Sequence, residues 1–490
     1  MAKRFSFLLS VVLLPIVVTS APDVDFDKYF IDRTMRVDYF HVGDATSEFI
    51  TLDRVYEQGS WAGSLKNLID RLNLGRYAAK VYDGASGGLI FSRGFDSYFG
   101  EYKTTGPALR GVKRTYHESI LLPFPKDKVT LTIEGRDKNN QLQPIFRTEI
   151  DPLDISIAKE GLMPGVKVFQ VLKSGDSHAK VDIAFVAEGY TLLEEKKFIA
   201  DLKRITEIFF THEPYRSHPH LFNLFGVFKA SAESGCDEPS HGSYKNTALG
   251  ASFDSLGSER YVLTEDNRSL RDIAAHVPYD SLVLVINHTR YGGGGIYNLF
   301  CTFTVDNQWT DYLFLHEFGH SFAGLADEYY TSSVAYNEFY PRGVEPLEPN
   351  ITALLDPKQL KWKDLVTPGI EIPTPWEKEE FDKMDMAYQK IRQEINEKIA
   401  AMKRAGAPRA DIERAEQESE KLSREHAARV DEFLRRSKYW GKIGAMEGAG
   451  YAAQGLYRPA VDCLMFTKGA KPFCRVCEQA VLRVIRFYAE

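Results

Sequence analysis

The sequence predicts an α+β chain in two folded parts. A β-sandwich-like module spans 21–160, and a mixed α/β domain spans 166–490 and carries a long helical hairpin. Three observations carry this reading. Period-two alternation dominates up to Ile150. Strand-like apolar runs then alternate with helix-spaced segments. Residues 376–440 are about half charged and keep helical spacing. The 490 residues are 44% hydrophobic and 12% aromatic, enough apolar material for separate cores. A formal net charge of −7 leaves no electrostatic footprint for nucleic acid, which is therefore not an expected partner.

The N-terminus carries an address. Lys3 and Arg4 precede an apolar run, Phe5–Val18, and the small residues Thr19-Ser20-Ala21, the layout of a secretory signal over 1–20 cut after Ser20. The run is shorter than the ~20 residues of a spanning helix, and Pro15 interrupts it. No later segment is apolar enough to span a bilayer. The mature chain is expected to be exported: secreted, periplasmic or at the cell surface. Residues 23–36 start acidic and are a candidate short propeptide.

Within the first module, Val129, Leu131 and Ile133 alternate with Thr130, Thr132 and Glu134, the signature of a half-buried strand. Asp137-Lys138-Asn139-Asn140 is a turn and Pro144–Ile150 the return strand. Leu65–Leu74 is the one helix expected here, and the stretch around Gly161–Gly165 closes the module. In the second part, strands are expected at Val181–Val186, Leu221–Lys229 and Leu282–Asn287, and helices at Leu193–Phe210 and Gln308–Phe322. Trp376–Trp440 breaks at Gly406-Ala407-Pro408. Two antiparallel helices would project from there as a hairpin of about 40 Å. Ile391, Ile395, Ile399 and Met402 form its apolar stripe. The hairpin either packs on itself as a solvated insertion or contacts a partner or substrate.

The chemistry concentrates in His316-Glu317-Phe318-Gly319-His320. Residues four apart share one helix face, so both imidazoles reach one metal ion, and Glu317 lies beside it as a general base. Zinc suits such a set, because two nitrogens and one carboxylate leave a fourth position for water. The flanking Tyr312–Leu315, Phe318 and Phe322 make a buried helix, which would not carry these polar groups without partners.

The third ligand lies elsewhere. Gly324 can end the helix in the left-handed conformation and turn the chain back, with Asp327 three residues on. This resembles the metzincin arrangement, displaced by one residue. Glu328 and a more distant carboxylate remain alternatives. Metzincins also place a methionine beneath the metal, and Met465 within Cys463-Leu464-Met465-Phe466 is the candidate. Core packing is its other reading.

The segments HEFGHSFAGLADEY (His316–Tyr329), YGGGGIYN (Tyr291–Asn298), EGAGYAAQGLYRP (Glu447–Pro459) and Cys463–Met465 together resemble the IgA-peptidase family of bacterial zinc metallopeptidases. The resemblance runs from about Val166 to the C-terminus, interrupted by the hairpin. The preceding module is similar to the N-terminal domain of some relatives. The resemblance implies a secreted, zincin-like endopeptidase acting on protein or peptide. It implies one catalytic Zn2+ on His316, His320 and Asp327, and Glu317 as general base. It does not imply that immunoglobulin is the substrate.

In a zincin the strand near Gly292–Gly295 borders the cleft, so Gly293 and Gly294 are candidates for close approach to a substrate backbone. Tyr457 is the candidate oxyanion donor, followed by Tyr451 and Arg458. Cys474-Arg475-Val476-Cys477 reads as a redox pair or half a zinc site, with no second such pair in the chain. A bridge from Cys463 to Cys477 or Cys474, pinning the turn below the metal, is expected instead, with Cys236–Cys301 as a second bridge. The competing class is a non-catalytic protein- or glycan-binding protein on a metallopeptidase scaffold, against which an intact Glu317 argues.

Overall fold

The computed structural model describes residues 24–159, 161–332 and 339–490, so the expected signal segment lies outside the described residues. After a short helix α1 (Phe26–Tyr29), the first part builds two antiparallel sheets. One orders β1 (Phe30–Gly43), β2 (Glu48–Glu57) and β5 (Arg114–Pro125) as β2-β1-β5. The other orders β3 (Tyr77–Asp83), β4 (Leu89–Phe95), β6 (Val129–Arg136) and β7 (Leu142–Ile150) as β4-β3-β6-β7. Val37, Tyr39 and Leu122 from one sheet meet Val81, Leu131 and Ile133 from the other in a single core. Two short helices, α2 (Tyr98–Tyr102) and α3 (Gly106–Leu109), precede β5.

One expectation for this region is corrected. Leu65–Leu74 is not helical. Ser64 Oγ accepts the N–H groups of Lys66 and Asn67, and the Asp70 carboxylate accepts those of Leu72 and Gly94. Side chains that satisfy local backbone in this way compete with helical bonding. Leu68, 1% exposed, anchors the loop in the sandwich core. Of the candidate propeptide, residues 24–36 are described, and β1 builds its part of them into the fold. Phe30 and Met35 are buried in β1, the middle strand of its sheet, and the fully buried Arg36 donates from Nη1 to Asp272 of the second domain at 2.6 Å.

The second part is built on a six-stranded sheet. Its strands are β8 (Val166–Lys173), β9 (Val181–Glu188), β10 (Phe222–Lys229), β11 (Ser281–Ile286), β12 (Gly293–Ile296) and β13 (Phe300–Thr304). The order is β12-β13-β11-β9-β10-β8, with parallel pairing inside and antiparallel strands at both edges. On one face, Val181, Ile183 and Phe185 pack against α4 (Glu195–Phe209). On the other, Ala184 and Val186 pack against α5 (Asn267–Ala274) and the aromatic side chains of α2. Helix α6 (Thr310–Ala323) lies against β12 and β13, on the same side as α4.

The hairpin is α7 (Lys378–Arg404) and α8 (Arg409–Arg435), joined through Gly406 at φ +63°. It does not project. Asn396 donates to Glu259 at 2.8 Å, Lys403 pairs with Glu238 at 3.9 Å, and Trp309 Nε1 donates to Ser423 at 3.1 Å. Those contacts lay it along the domain, and of the expected stripe Ile399 is buried while Ile391 is exposed. A two-stranded ribbon, β14 (Met446–Ala449) and β15 (Ala452–Arg458), and the C-terminal helix α9 (Arg475–Ala489) complete the fold.

Candidate metal centre

Helix α6 is buried on nearly every side, so its polar residues stand out: Glu317 and His320 are only part-buried. Gly324 closes the helix at φ +58°, with its N–H on His320 O and that of Leu325 on Gly319 O. This left-handed stop reverses the chain, a conformation that costs any residue with a Cβ about 1–2 kcal/mol. Asn350 then clamps both backbone groups of Ala326, which aims Asp327 back at the helix.

Three side chains meet as a result. Asp327 Oδ1 lies 2.9 Å from His316 Nε2 and 3.3 Å from His320 Nε2, and the two Nε2 atoms are 3.2 Å apart. Donors bound to one tetrahedral zinc at about 2.0 Å sit about 3.3 Å from each other. His316 Nδ1 donates to Leu464 O at 3.1 Å and His320 Nδ1 to Leu325 O at 2.5 Å. Carbonyl oxygens only accept, so each Nδ1 carries the proton and each Nε2 keeps its lone pair for a metal. Asp327 Oδ1 is buried without a hydrogen-bond partner. The donor set and this orphaned oxygen fit a four-coordinate divalent ion.

Tyr451 Oη donates to Asp327 Oδ2 at 2.5 Å, fixing which oxygen faces the imidazoles. Met465 is fully buried beneath α6, where a Cβ on Gly319 would come within 3.2 Å of its sulfur. Glu317 lines a cavity of about 180 Å³ together with the three clustered residues. Burial pushes its carboxyl up, with His316 and His320 pulling the other way.

The cavity wall is composite. Arg76, Asp96 and Glu101 come from the sandwich, Tyr388 and Arg392 from the hairpin, and Arg260, Tyr291 and Tyr329 from the rest of the second domain. Arg260 Nη2 donates to Tyr329 Oη at 2.9 Å, and Lys468 Nζ sits 3.7 Å from the Tyr291 ring centre. Burial, then Arg392 and Arg260, pull the Lys468 ammonium well below the usual lysine range. Tyr291 and Tyr329 sit in the motifs singled out above, but nothing in the sequence signals Arg260 or Arg76.

A family model described as IgA Peptidase M64 matches residues 169–485. The chain belongs to that family. A second model, Peptidase M64 N-terminus, matches residues 25–147, which is the sandwich. No curated protein matches the chain. Membership of the M64 family makes the chain a peptidase of a metallopeptidase family.

Several sequence expectations for this M64 peptidase are corrected by its geometry. Tyr457 does not line the cavity. It lies in β15 with its N–H on Thr352 O, while the turn of the β14–β15 ribbon brings Tyr451 to Asp327 instead. Gly293 lines the cavity beside Glu317, but its N–H donates to Arg260 O and its carbonyl accepts the Val262 N–H. A Cβ at Gly293 would meet Thr302 O at 2.7 Å, and one at Gly294 would meet the Tyr261 ring at 2.3 Å. These glycines serve close packing of the edge strand. All five cysteines are free. Cys463 and Cys477 are 3.8 Å apart at sulfur, well beyond the ~2.05 Å of a disulfide. Cys236 and Cys301 belong to the clusters on opposite faces of the sheet and cannot pair.

Proposed function

We propose that the chain is an exported zinc endopeptidase in which His316, His320 and Asp327 hold one Zn2+ and Glu317 is the general base. The observation that carries this is the meeting of two metal-facing Nε2 atoms and one unpartnered carboxylate oxygen within 3.3 Å, with Glu317 on the wall of the same cavity. When bound, the ion supplies Lewis acidity that makes a water nucleophilic near neutral pH.

The chain's own groups do the rest. Glu317 takes the proton of the attacking water and delivers it to the leaving amine. Leu464 O and Leu325 O hold the imidazole rings in one tautomer and one orientation. Arg260 and Tyr329 face the cavity with N–H and O–H groups for the oxyanion of the tetrahedral intermediate, the role first considered for Tyr457. Sandwich and hairpin narrow the approach, so the substrate is an extended stretch of protein or peptide. Arg260 and Arg392 line the cavity and favour an acidic side chain near the cut bond. Export rests on the leader at residues 1–20.

The test compares the mature chain with Glu317→Gln on a diverse peptide library, zinc content matched and products read by mass spectrometry. Wild type cuts, with Asp or Glu enriched near the cut. The variant keeps its zinc and loses about 10²–10⁴-fold in kcat/KM. A variant as active as wild type would sink the assignment of Glu317. A zinc-loaded wild type that cuts nothing would favour the scaffold reading.

A further inference from the structure

Directly below the catalytic cluster lies a second group of metal-ligating side chains that the proposed hydrolysis does not use. Cys463, Cys474, Cys477 and Glu328 bring one ligand atom each to within 4.8 Å of all the others. Sulfur separations are 3.8 Å for Cys463–Cys477 and 3.6 Å for Cys474–Cys477, and Cys477 Sγ lies 3.3 Å from Glu328 Oε1. Thiolates bound to one tetrahedral zinc at about 2.3 Å are about 3.8 Å apart, and a thiolate and a carboxylate oxygen about 3.5 Å. The observed spacings match that polyhedron and are far too long for a disulfide.

We propose that these four residues form a structural site for a thiophilic divalent cation, Zn2+, separate from the catalytic one. The surroundings are those of metal-bound thiolates. Cys463 Sγ accepts the backbone N–H groups of Met465 at 3.5 Å and Cys474 at 3.2 Å. Cys474 caps α9 and Cys477 lies in its first turn, where the positive end of the helix favours thiolate. Glu328 is fully buried; Oε1 accepts from Asn350 Nδ2 at 3.0 Å, but Oε2 has no partner. A fully buried carboxylate with one oxygen unpaired is costly unless a cation binds the group. The buried Arg458, whose Nε and Nη2 also lack partners, stands near enough to act on Glu328 and offsets the negative charge that three thiolates and a carboxylate leave on a dication.

A disulfide is the weaker alternative. It would pair two sulfurs, strand the third, and leave the buried Glu328 carboxylate without a cation bound to it. An ion uses all four groups at once. It also explains the placement, because two of the ligands, Glu328 and Cys463, adjoin residues of the catalytic cluster. Glu328 follows Asp327 and donates its N–H to Met465 O at 2.9 Å. Cys463 precedes Leu464, whose carbonyl orients His316. The ion would staple the turn under the catalytic helix to the strand of chain that delivers Asp327. The Cys474/Cys477 pair is thus half of a zinc site whose other half is Cys463 and a carboxylate, a combination with no paired spacing to reveal it.

The test counts metal and reads its ligands, without any activity assay. Mature full-length protein, purified without chelator, is examined by elemental analysis and native mass spectrometry, and binds two zinc ions per chain. His316→Ala/His320→Ala retains one, and Cys474→Ser/Cys477→Ser loses one. Cobalt supplies the decisive arm, because its reading does not depend on the cysteine variant folding. Co2+ loaded into the histidine variant gives the thiolate-to-cobalt charge-transfer absorption in the near ultraviolet and the intense visible bands of a tetrahedral thiolate site. A histidine variant that binds no metal, cobalt spectra without thiolate bands, or peptide mapping that finds a Cys463–Cys477 disulfide in the purified wild type would each overturn the proposal. None of these outcomes depends on whether the enzyme cleaves peptides.

Discussion

The Tyr451 hydroxyl illustrates how much one hydrogen bond decides. It donates to Asp327 Oδ2, leaving Oδ1 to face the two imidazoles. Partners of this kind tune metal affinity by about 10–100-fold when removed. Tyr451→Phe is therefore expected to weaken zinc binding at the proposed catalytic site by that factor in a chelator competition at fixed pH, with the fold intact by circular dichroism. Unchanged affinity would show that Asp327 does not need the bond. The sequence put two histidines on one helix face and a carboxylate after the glycine stop, and the structure does bring those atoms together. The sequence ranked Tyr457 ahead of Tyr451, whereas Tyr451 is the one that reaches the cluster. That choice depends on where the β14–β15 ribbon turns and on its register shift between Glu447 and Ala449, which no local pattern announces.

At the scale of elements, legibility followed periodicity and failed where side chains captured the backbone. The helices of the hairpin, the central strands and α6 all follow from apolar spacing. Leu65–Leu74 has helix-like spacing too, but Ser64 and Asp70 bond its amides and the segment becomes a loop. The hairpin's existence was readable from charge and from Gly406, whereas its docking was not. Its anchors, Glu238, Glu259 and Trp309, lie in distant loops. This docking makes a prediction. Replacing residues 393–420 by a short glycine linker removes the Asn396 and Lys403 anchors but leaves Phe381, Val430 and Leu434 in the main core. Zinc content and turnover of short peptides should change less than threefold. Cleavage of folded or long substrates should shift in KM and in the set of sites cut. Identical cleavage maps for truncated and intact enzyme would show that the distal hairpin takes no part in substrate choice.

At the scale of the whole molecule, the sandwich is part of the site rather than an appendage, a relation that only long-range docking creates. Asp96 N–H bonds Tyr297 O at 2.9 Å and Asn298 Nδ2 bonds Gly94 O at 2.7 Å, fastening the module beside α6. Helix α2 continues the contact, with Tyr98 and Phe99 packed in the catalytic domain's second core and Glu101 on the cavity wall. A buried ionic network holds α2 in place. His41 stacks on Phe99 at 4.1 Å and bonds Glu118 at 3.0 Å, and Glu118 accepts the Phe99 N–H. Glu48 completes it, 3.3 Å from His41 and 3.1 Å from Lys103. Burial works against the charge on Glu48, but His41 and Lys103 outweigh it and hold the carboxyl at about 2. Burial likewise opposes charge on His41, yet Glu118 and Glu48 raise it. In the unfolded chain these groups titrate near about 4.3 and about 6.5. The Glu48 contribution is thus complete above about 4.3 and is lost as pH falls towards about 2. The His41 contribution is complete below about 6.5 and is lost as pH rises above that value. Thermal unfolding of wild type should accordingly fall steeply between about pH 5 and about pH 3. In Glu48→Gln the midpoint starts lower at pH 5 and falls less, so the two curves converge as the solution becomes more acid. Parallel curves would mean that Glu48 carries no net proton linkage, and that acid loosens the seam between sandwich and catalytic domain through other carboxylates.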